Sequence, residues 1–235
     1  MLPREAYVDP SVFEWEQRNI FNGWHCVGHA SDLDGIGAQR AVGSGANGIL
    51  LVRGDDGAVR AFANVCRHRG HELMACGAKT KRRGIVCPYH AWSYKLDGSL
   101  RNAPGFDAHD GFDPGQFGLT ELRLVDWHGW LFVDPSGQDA DFAEHVAGTE
   151  EIVGPYRPEN LTVVTRHSYE LATNWKVIVE NYQECYHCPS IHPELSRISP
   201  PTSGENVELP GDWMGGWMSM IDEAETMSLS GRSGG

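Results

Sequence analysis

Two short pairs of cysteine and histidine constrain the fold of this chain more than any other feature of its sequence. The first pair is Cys66 and His68, and the second is Cys87 and His90, with 18 residues between His68 and Cys87. A β-excursion of that length brings the two pairs together as facing loops. The pattern therefore predicts a metal centre held between two loops.

A mixed set of two Cys and two His fits two kinds of metal site. Tetrahedral zinc sites usually group Cys with Cys and His with His. In a Rieske [2Fe–2S] centre, one iron takes two Cys and the other takes two His. Here each loop offers one residue of each type, so each loop can supply one ligand to each iron. Gly70, Gly84 and Pro88 permit tight loops whose N–H groups approach sulfide and thiolate. The iron–sulfur interpretation is favoured over zinc and over two unrelated Cys–His pairs.

The residues around these pairs predict a small all-β domain. Short apolar segments alternate with Gly-rich turns such as Gly54–Gly57 and the hairpin Lys95–Leu100. Such regular short strands are typical of an all-β fold. The predicted strands are Trp24–His29, Gly48–Arg53, Val59–Phe62 and Trp127–Val133.

This region resembles the Rieske domain of ring-hydroxylating oxygenase α subunits. The resemblance is carried by Asn64–Gly70, Cys87–Tyr94 and Asp97-Gly98, and it extends from Trp24 to Pro135. It implies that Cys66, His68, Cys87 and His90 hold a [2Fe–2S] cluster. His71 and Cys76 are not at ligand positions of the family and are interpreted as structural.

A second constellation follows on a predicted helix from Asn174 to Tyr186. Apolar residues recur there at helical spacing, Asn174 is a suitable N-cap, and the helix should stop near Cys188 because Pro189 follows. Glu184 and His187 then share a face of the helix.

Asn181 lies one turn earlier on that face, and His192 comes just after the helix. His187 and His192 can supply two corners of a 2-His-1-carboxylate triad on Fe(II), which leaves open positions for O₂ and substrate. Such a pair of histidines is weak evidence alone, but it becomes strong behind a Rieske motif.

The resemblance to the oxygenase α subunits covers this stretch as well. Asn174–Lys176, Glu180–His187 and His192-Pro193 are similar to the mononuclear-iron segment of that family. The similarity implies a homotrimer in which Glu184 bridges His90 of one subunit and His187 of the next, with Asn181 beside the iron ligands. A carboxylate can accept N–H bonds from two imidazoles. Aromatic-ring dioxygenases of the family typically have Asp at this position. The Glu of this chain resembles instead the branch that acts on carnitine, choline and glycine betaine.

The predicted fold class is α+β. Residues 1–23 form an N-terminal segment, with a short helix to Ile20, that packs on the catalytic domain. Residues 24–135 form the Rieske domain. The resemblance implies that residues 136–235 form the first part of a helix-grip catalytic domain, an antiparallel sheet with a helix. A short helix is predicted at Asp139–Ala147 and a strand at Leu161–Leu171.

The third iron ligand of the family is an Asp well beyond the second His. Only 43 residues follow His192, and none of the acidic residues among them stands in the context of that ligand. We expect either a truncated oxygenase or a site completed by another chain. The acidic residues concerned are Asp212, Asp222, Glu223 and Glu225.

The charge and hydropathy of the chain argue against nucleic acids and membranes as partners. The net charge of −13 argues against nucleic acid and anionic membranes, which call for a basic patch. No signal peptide is expected, and the longest apolar run, Ile49–Val52, is far short of the ~20 residues of a membrane span. A cytoplasmic protein with reduced cysteines is therefore expected.

The substrate clue is a group of aromatic and sulfur side chains. Trp213 and Trp217 are four residues apart among Met214, Met218 and Met220. Tryptophan faces attract quaternary ammonium groups by about 0.5–2 kcal/mol each, and the acidic chain agrees in sign with a cationic substrate. The alternative is that these residues are core.

Cys185 and Cys188 are interpreted as packing behind the ligand helix rather than as a zinc or redox motif.

The sequence thus predicts the terminal oxygenase component of a Rieske non-heme iron system. A separate reductase would pass electrons from NAD(P)H to the cluster, and Fe(II) would activate O₂ to hydroxylate or demethylate a small quaternary ammonium compound. One alternative is an aromatic-ring dioxygenase. Another is a Rieske electron carrier without catalysis, which has no reason to keep Glu184, His187 and His192.

Overall fold

The computed structural model divides the chain into two compact units. The first, here called the β unit, comprises Phe13–Phe142 and Glu151–Val164, and the second unit comprises Met1–Val12, Ala143–Glu150 and Thr165–Gly235. The α+β prediction is confirmed. The structure describes residues 2–43, 48–106, 109–138, 140–161, 163–165, 167–208, 210–222 and 224–225, so the candidate ligand Glu223 and the predicted helix residue Asp139 lie outside the described residues.

Two antiparallel sheets build the β unit. The larger has seven strands in the order β1-β10-β9-β4-β3-β2-β5, and the smaller has three in the order β6-β7-β8. The strands are β1 His25–His29, β2 Ala38–Val42, β3 Ile49–Arg53, β4 Val59–Ala63, β5 Lys79–Lys81, β6 Ile85–Val86, β7 Ser93–Tyr94, β8 Leu100–Asn102, β9 Glu121–Trp127 and β10 Trp130–Asp134.

The predicted strands and both predicted hairpins of the β unit are confirmed with one exception. Trp127–Val133 is not a single strand, because β9 and β10 meet at a two-residue turn of His128 and Gly129. Both turn residues have positive φ, +51° and +85°, as a tight antiparallel hairpin requires. The apolar residues on either side of the turn conceal it in the sequence.

The core of the β unit lies on both faces of β3. Ile49 and Leu51 belong to one buried cluster, and Leu50 and Val52 belong to the other. Successive side chains of a strand point to opposite faces, so a strand that is covered on both sides is apolar throughout. The second cluster also contains Cys66 and Cys87, which places the candidate cluster cysteines in the core.

Short helices dominate the remainder of the chain. The second unit contains one hairpin, β11 Gly204–Val207 with β12 Gly215–Met218. Among the described residues, no helix combines the length and the apolar character needed to cross a bilayer. The helices are α1 Glu5–Val8, α2 Pro10–Asn19, α3 Phe142–His145, α4 Glu150–Val153, α5 Trp175–Gln183, α6 Cys188–Ile191 and α7 Pro193–Ile198.

Two predicted elements need correction. The strand at Leu161–Leu171 is wrong: its described residues have no regular structure and pair with no described strand. β-branched residues favour a strand only where a neighbouring strand can receive them. The helix predicted over Asp139–Ala147 is limited to the four residues of α3.

Candidate metal centres

The first Cys–His pair lies on a tight loop that follows β4. The Cys66 N–H donates to the carbonyl of His71 at 2.8 Å, and the Gly70 N–H donates to the carbonyl of Cys66 at 3.0 Å. Gly70 has a φ of +70°. An isolated bridge between Val65 and Glu72 closes the loop at its base.

The second pair lies on a loop with the same backbone pattern. The Cys87 N–H donates to the carbonyl of Trp92 at 2.8 Å, and the Ala91 N–H donates to the carbonyl of Cys87 at 3.1 Å. Ala91 occupies the position of Gly70 and has a φ of +58°, which is unusual for a residue with a side chain. The two loops are therefore structural counterparts, a repeat that the differing Gly and Ala conceal in the sequence.

The four candidate ligands are arranged as an inner and an outer pair. Cys66 and Cys87 are buried, and their thiols lie within hydrogen-bonding reach of each other. His68 and His90 lie toward the surface, with ring centroids 4.9 Å apart. Two soft thiolate donors inside and two imidazoles outside suit a cluster in which one iron takes both Cys and the other takes both His.

Two aromatic residues of the second loop support this arrangement. Tyr94 Oη lies 3.1 Å from Cys66 Sγ and accepts the N–H of Arg67 at 3.1 Å. Trp92 stacks on the His68 ring with centroids 4.8 Å apart and planes 6° from parallel. Both positions fall within the motif Cys87–Tyr94, although the sequence gives no sign of which ligand each contacts.

Burial tunes the ionisation of these ligands. It raises the pKa of the Cys66 thiol, while the hydrogen bonds from Tyr94 and from the His68 N–H oppose that rise. Burial also lowers the pKa of His68, helped by the nearby His90 and Arg69. A lowered pKa favours the neutral form of the imidazole, which is the form that binds metal.

No three His, Cys, Asp or Glu side chains of the described ranges converge on one point as a complete site for a single metal ion. In a Rieske cluster the protein supplies two ligands to each iron and sulfide supplies the rest, and the two loops offer two Cys and two His. The donor set at the two loops therefore fits a [2Fe–2S] group.

The second constellation has a different backbone from the predicted one. α5 ends at Gln183, Glu184 is extended, and Pro189 lies in the first turn of α6 rather than ending a helix. Proline fits the first turn of a helix, where its missing N–H costs nothing. The N-cap prediction is confirmed, because the Asn174 side chain accepts the N–H of Lys176 at 3.0 Å.

Glu184 and His187 nevertheless meet, through a turn instead of a helix face. Glu184 Oε1 lies 2.7 Å from His187 Nδ1, and Oε2 accepts the N–H of Tyr186 at 2.6 Å. The hydrogen bond of His187 is the main cause of a lowered pKa at Glu184. The ring of His192 lies 5.5 Å from that of His187.

These residues border one cavity of about 650 Å³ in the second unit. Asn181 also lines it. Among the acidic residues, Glu184 and Glu205 line the cavity, whereas the candidate third ligands Asp212, Asp222 and Glu225 do not. Sequence reasoning missed Glu205, which faces the cavity from the hairpin strand β11 opposite Trp217.

The structure separates the two candidate substrate tryptophans. Trp217 lines the cavity and is 55% exposed, together with Met218 and Met220. Trp213 does not line it, and its indole N–H is shared between the carbonyls of Ala147 at 3.0 Å and Pro210 at 3.1 Å.

The two cysteines next to the ligands also face this cavity. Cys188 is buried, and Cys185 Sγ lies 3.2 Å from Met218 Sδ. Both border the cavity beside His187 rather than packing behind the helix as predicted. Neither lies within the helix that precedes them.

Comparison with known families matches both parts of the chain. Residues 23–123 match the Rieske [2Fe-2S] domain, and residues 158–235 match the ring hydroxylating alpha subunit (catalytic domain).

Two curated relatives are similar to this chain over most of its length. The glycine betaine monooxygenase oxygenase subunit of Chromohalobacter salexigens is 41% identical over 195 residues, covering 83% of this chain and 43% of the relative. The carnitine monooxygenase oxygenase subunit of Escherichia coli K12 is 37% identical over 201 residues, covering 83% and 53%. The chain thus spans about half the length of the curated relatives it matches.

A solved structure of a Rieske monooxygenase is also similar to this chain. The quaternary ammonium Rieske monooxygenase CntA in complex with L-carnitine superposes with a TM-score of 0.75 at 36% identity. The alignment covers 83% of this chain and 56% of that chain.

Proposed function

Since this chain belongs to the family of Rieske ring-hydroxylating oxygenase α subunits, we propose that it is the terminal oxygenase component of a Rieske non-heme iron system. The observation that carries the proposal is the pairing of two donor sets, one on twin loops and one on a cavity. An electron carrier needs only the first set. Glu184, His187 and His192 at a cavity of substrate size argue for catalysis.

Four residues of the twin loops are proposed to hold the cluster: Cys66 and Cys87 on one iron, His68 and His90 on the other. The cluster supplies one-electron transfer and the mononuclear iron supplies O₂ activation when each is bound. The protein contributes a hydrogen bond from Tyr94 toward Cys66 and a stacked ring that fixes His68. Hydrogen bonds to cluster sulfur atoms raise the reduction potential, which suits acceptance of an electron.

Glu184 is proposed to set the tautomer and orientation of His187. With the proton on Nδ1, His187 donates a hydrogen bond to Glu184 Oε1 at 2.7 Å. Nε2 of His187 then has no proton and is free to bind a metal. The second oxygen accepts the N–H of Tyr186, so the carboxylate is held at both ends. In a homotrimer, this carboxylate would also reach His90 of a neighbouring copy and link the two centres. Asn181 lines the same cavity and is proposed to support the iron ligands.

The proposed substrate is a small quaternary ammonium compound, and electrons are proposed to come from NAD(P)H through a separate reductase. The named relatives act on glycine betaine and carnitine. The cavity adds an exposed Trp217 face and the carboxylate of Glu205, both of which suit a cation. Trp213 is proposed to support the hairpin through its two hydrogen bonds rather than to touch the substrate.

Replacing Trp217 tests this substrate class. Trp217→Ala should weaken L-carnitine binding about 2- to 30-fold, the equivalent of one cation–π contact of about 0.5–2 kcal/mol. Titration calorimetry should show a smaller loss for 3-hydroxy-5,5-dimethylhexanoate, the neutral-headed carbon isostere. Met214→Ala is the control, since Met214 is exposed and does not line the cavity. Equal losses for both ligands would contradict a cation site.

Iron analysis separates the oxygenase from the carrier. About three iron atoms per chain are expected when both proposed sites are filled, and about two if the protein binds only a cluster. His187→Ala should remove the third iron and leave the visible absorption of the cluster intact. A protein that never binds more than two irons would contradict the catalytic role.

A further inference from the structure

Three sulfur-bearing side chains meet in the cavity of the second unit. Cys185, Cys188 and Met218 all line that cavity, and Cys185 Sγ lies 3.2 Å from Met218 Sδ. The Cys185 thiol is also a hydrogen-bonding neighbour of the Cys188 thiol. Cys185 therefore contacts both of the other sulfur atoms. These three residues are here called the sulfur trio.

A tight turn brings the two cysteines of the trio together. The Cys188 N–H donates to the carbonyl of Cys185 at 3.0 Å, which closes a turn at the start of α6. Cys188 is the first residue of α6 and is buried, whereas Cys185 is partly exposed. A backbone hydrogen bond thus fixes the spacing of the two thiols.

The third sulfur comes from the hairpin. Met218 is the last residue of β12 and pairs with Gly204 of β11. A Cβ on Gly204 would lie 3.2 Å from Met218 Cγ, which is a tight contact, so the glycine leaves room for the methionine side chain. Because methionine is unbranched and has three rotatable bonds, its sulfur can shift without movement of the strand.

This set of donors suits a soft metal ion. Thiolate and thioether sulfur favour Cu(I), whereas the imidazoles of His187 and His192 suit the Fe(II) of a facial triad. A structural zinc site needs four ligands. Among the described residues, no cysteine besides Cys185 and Cys188 lines this cavity, so a zinc site of cysteines is incomplete here. Cu(I), by contrast, is stable with three sulfur donors in a plane.

The present distances are close to those of such a site. Three sulfur atoms that bind one metal ion at roughly 2.3 Å in a trigonal plane lie about 4 Å from one another. Cys185 Sγ and Met218 Sδ, now 3.2 Å apart, must separate by about 0.8 Å to admit the ion. Rotation within the Met218 side chain supplies a movement of that size.

We propose that the sulfur trio is a binding site for one Cu(I) ion. When the ion binds, the S–H bonds of Cys185 and Cys188 break and their two protons pass to solvent. Two copper–thiolate bonds and one copper–thioether bond form, and copper keeps its oxidation state. This inference rests on the three side chains and not on the proposed function.

Competition with a coloured chelator tests the site on the full chain. Bathocuproine disulfonate holds Cu(I) in anaerobic buffer, and its visible absorption reports how much copper the protein withdraws. The parent should withdraw about one copper ion per chain more than Cys185→Ser or Cys188→Ser. Met218→Leu should retain that ion with an affinity lowered by about 10-fold, and this swap conserves the volume of the side chain.

Three control variants separate the trio from other possible ligands. Cys26→Ser and Cys76→Ser alter exposed cysteines that do not line the cavity, and both should withdraw as much copper as the parent. His187→Ala should do the same, because no imidazole belongs to the trio. An equal loss of copper in any of these three variants would overturn the proposal.

The cysteines of the twin loops must be occupied during the titration. In protein that shows the visible spectrum of the cluster, Cys66 and Cys87 are already bound to iron. A parent without that spectrum would reject the proposed function but not the copper site. The same comparison would then be made with Cys66→Ser/Cys87→Ser in every protein.

X-ray absorption at the copper edge identifies the donors directly. Parent protein loaded with less than one equivalent of Cu(I) should show a first shell of three sulfur atoms. Nitrogen in that shell would overturn the proposal, because the ion would then lie on the histidines. Copper uptake by both cysteine variants equal to that of the parent, or an unchanged affinity in Met218→Leu, would overturn it too. The contact between the sulfur atoms would in that case be packing alone.

Discussion

The two candidate metal centres are held in place by different means. In the β unit, Cys66 and Cys87 lie inside a buried cluster that also contains Phe62, Trp92 and Tyr94. In the second unit, the only buried apolar side chains among its described residues are Cys188 and Ala224.

The second centre depends on local polar contacts in place of a core. Glu184 holds His187 and the Tyr186 N–H, and Asn174 caps the helix that leads to them. Core packing fixes positions through many small contacts, whereas a cap or a single hydrogen bond is worth about 1 kcal/mol. Core packing therefore holds the side chains of the first candidate centre in position, whereas a few individual hydrogen bonds hold those of the second.

The largest expected effect removes a ligand from the rigid centre. Cys87→Ser should abolish the visible absorption and the electron paramagnetic resonance signal of the cluster, because a hydroxyl is a poor substitute for a thiolate in this site. Cys76→Ser is the control, since Cys76 lies between the two loops and is exposed. Loss of the cluster in the control, or its retention in Cys87→Ser, would break the assignment of the inner pair.

A pair of aromatic truncations measures the difference between the two units directly. Phe62→Ala, at a residue 1% exposed, should lower the free energy of unfolding by about 3–5 kcal/mol. Tyr169→Ala in the second unit, at a residue 79% exposed, should change it by less than about 0.5 kcal/mol. Urea denaturation followed by fluorescence gives both values. Similar values would mean that the second unit has a core as firm as that of the β unit.

The twin loops offer a reciprocal pair of substitutions. Gly70→Ala places a side chain at a φ of +70° and should cost about 1–2 kcal/mol, although a Cβ there meets no atom within 4 Å. Ala91→Gly relieves the equivalent strain and should cost nothing or stabilise by up to about 1 kcal/mol. The midpoint of thermal unfolding reports both. Effects of the same sign would show that the loops are not equivalent.

The candidate ligands of the first centre can be predicted from the sequence, whereas most of the contacts around them cannot. Cysteine and histidine stand out because few other residues bind metal, and the all-β domain follows from short strands and Gly-rich turns. The two loops, by contrast, share a backbone conformation although the residues at equivalent positions differ. Gly70 corresponds to Ala91, and His71 corresponds to Trp92. Such equivalence arises from hydrogen bonds that no residue pattern encodes.

In the second unit, residue spacing predicts which groups meet but not how. Three residues between Glu184 and His187 indicate proximity on a helix, and the same spacing brings them together across a turn. Glu205 has no neighbouring motif, so its place on the cavity emerges only from the pairing of β11 with β12. The strand predicted at Leu161–Leu171 is wrong because sheet formation depends on a partner that local sequence does not specify.

The smallest expected effect concerns the cap on which the second centre depends. Asn174→Ala removes the acceptor for the Lys176 N–H and should cost about 1 kcal/mol of stability. The Asn174 side chain also donates to the carbonyl of Tyr7 at 2.9 Å, so Asn174→Ser is the matched variant that restores the cap without that second bond. Recovery of most of the loss in the serine variant, measured by urea denaturation, assigns the effect to the cap. An alanine variant as stable as the parent would show that the N-cap does not stabilise α5. The cap would then no longer count among the hydrogen bonds that hold the second centre, and the contrast between the two centres would be weaker.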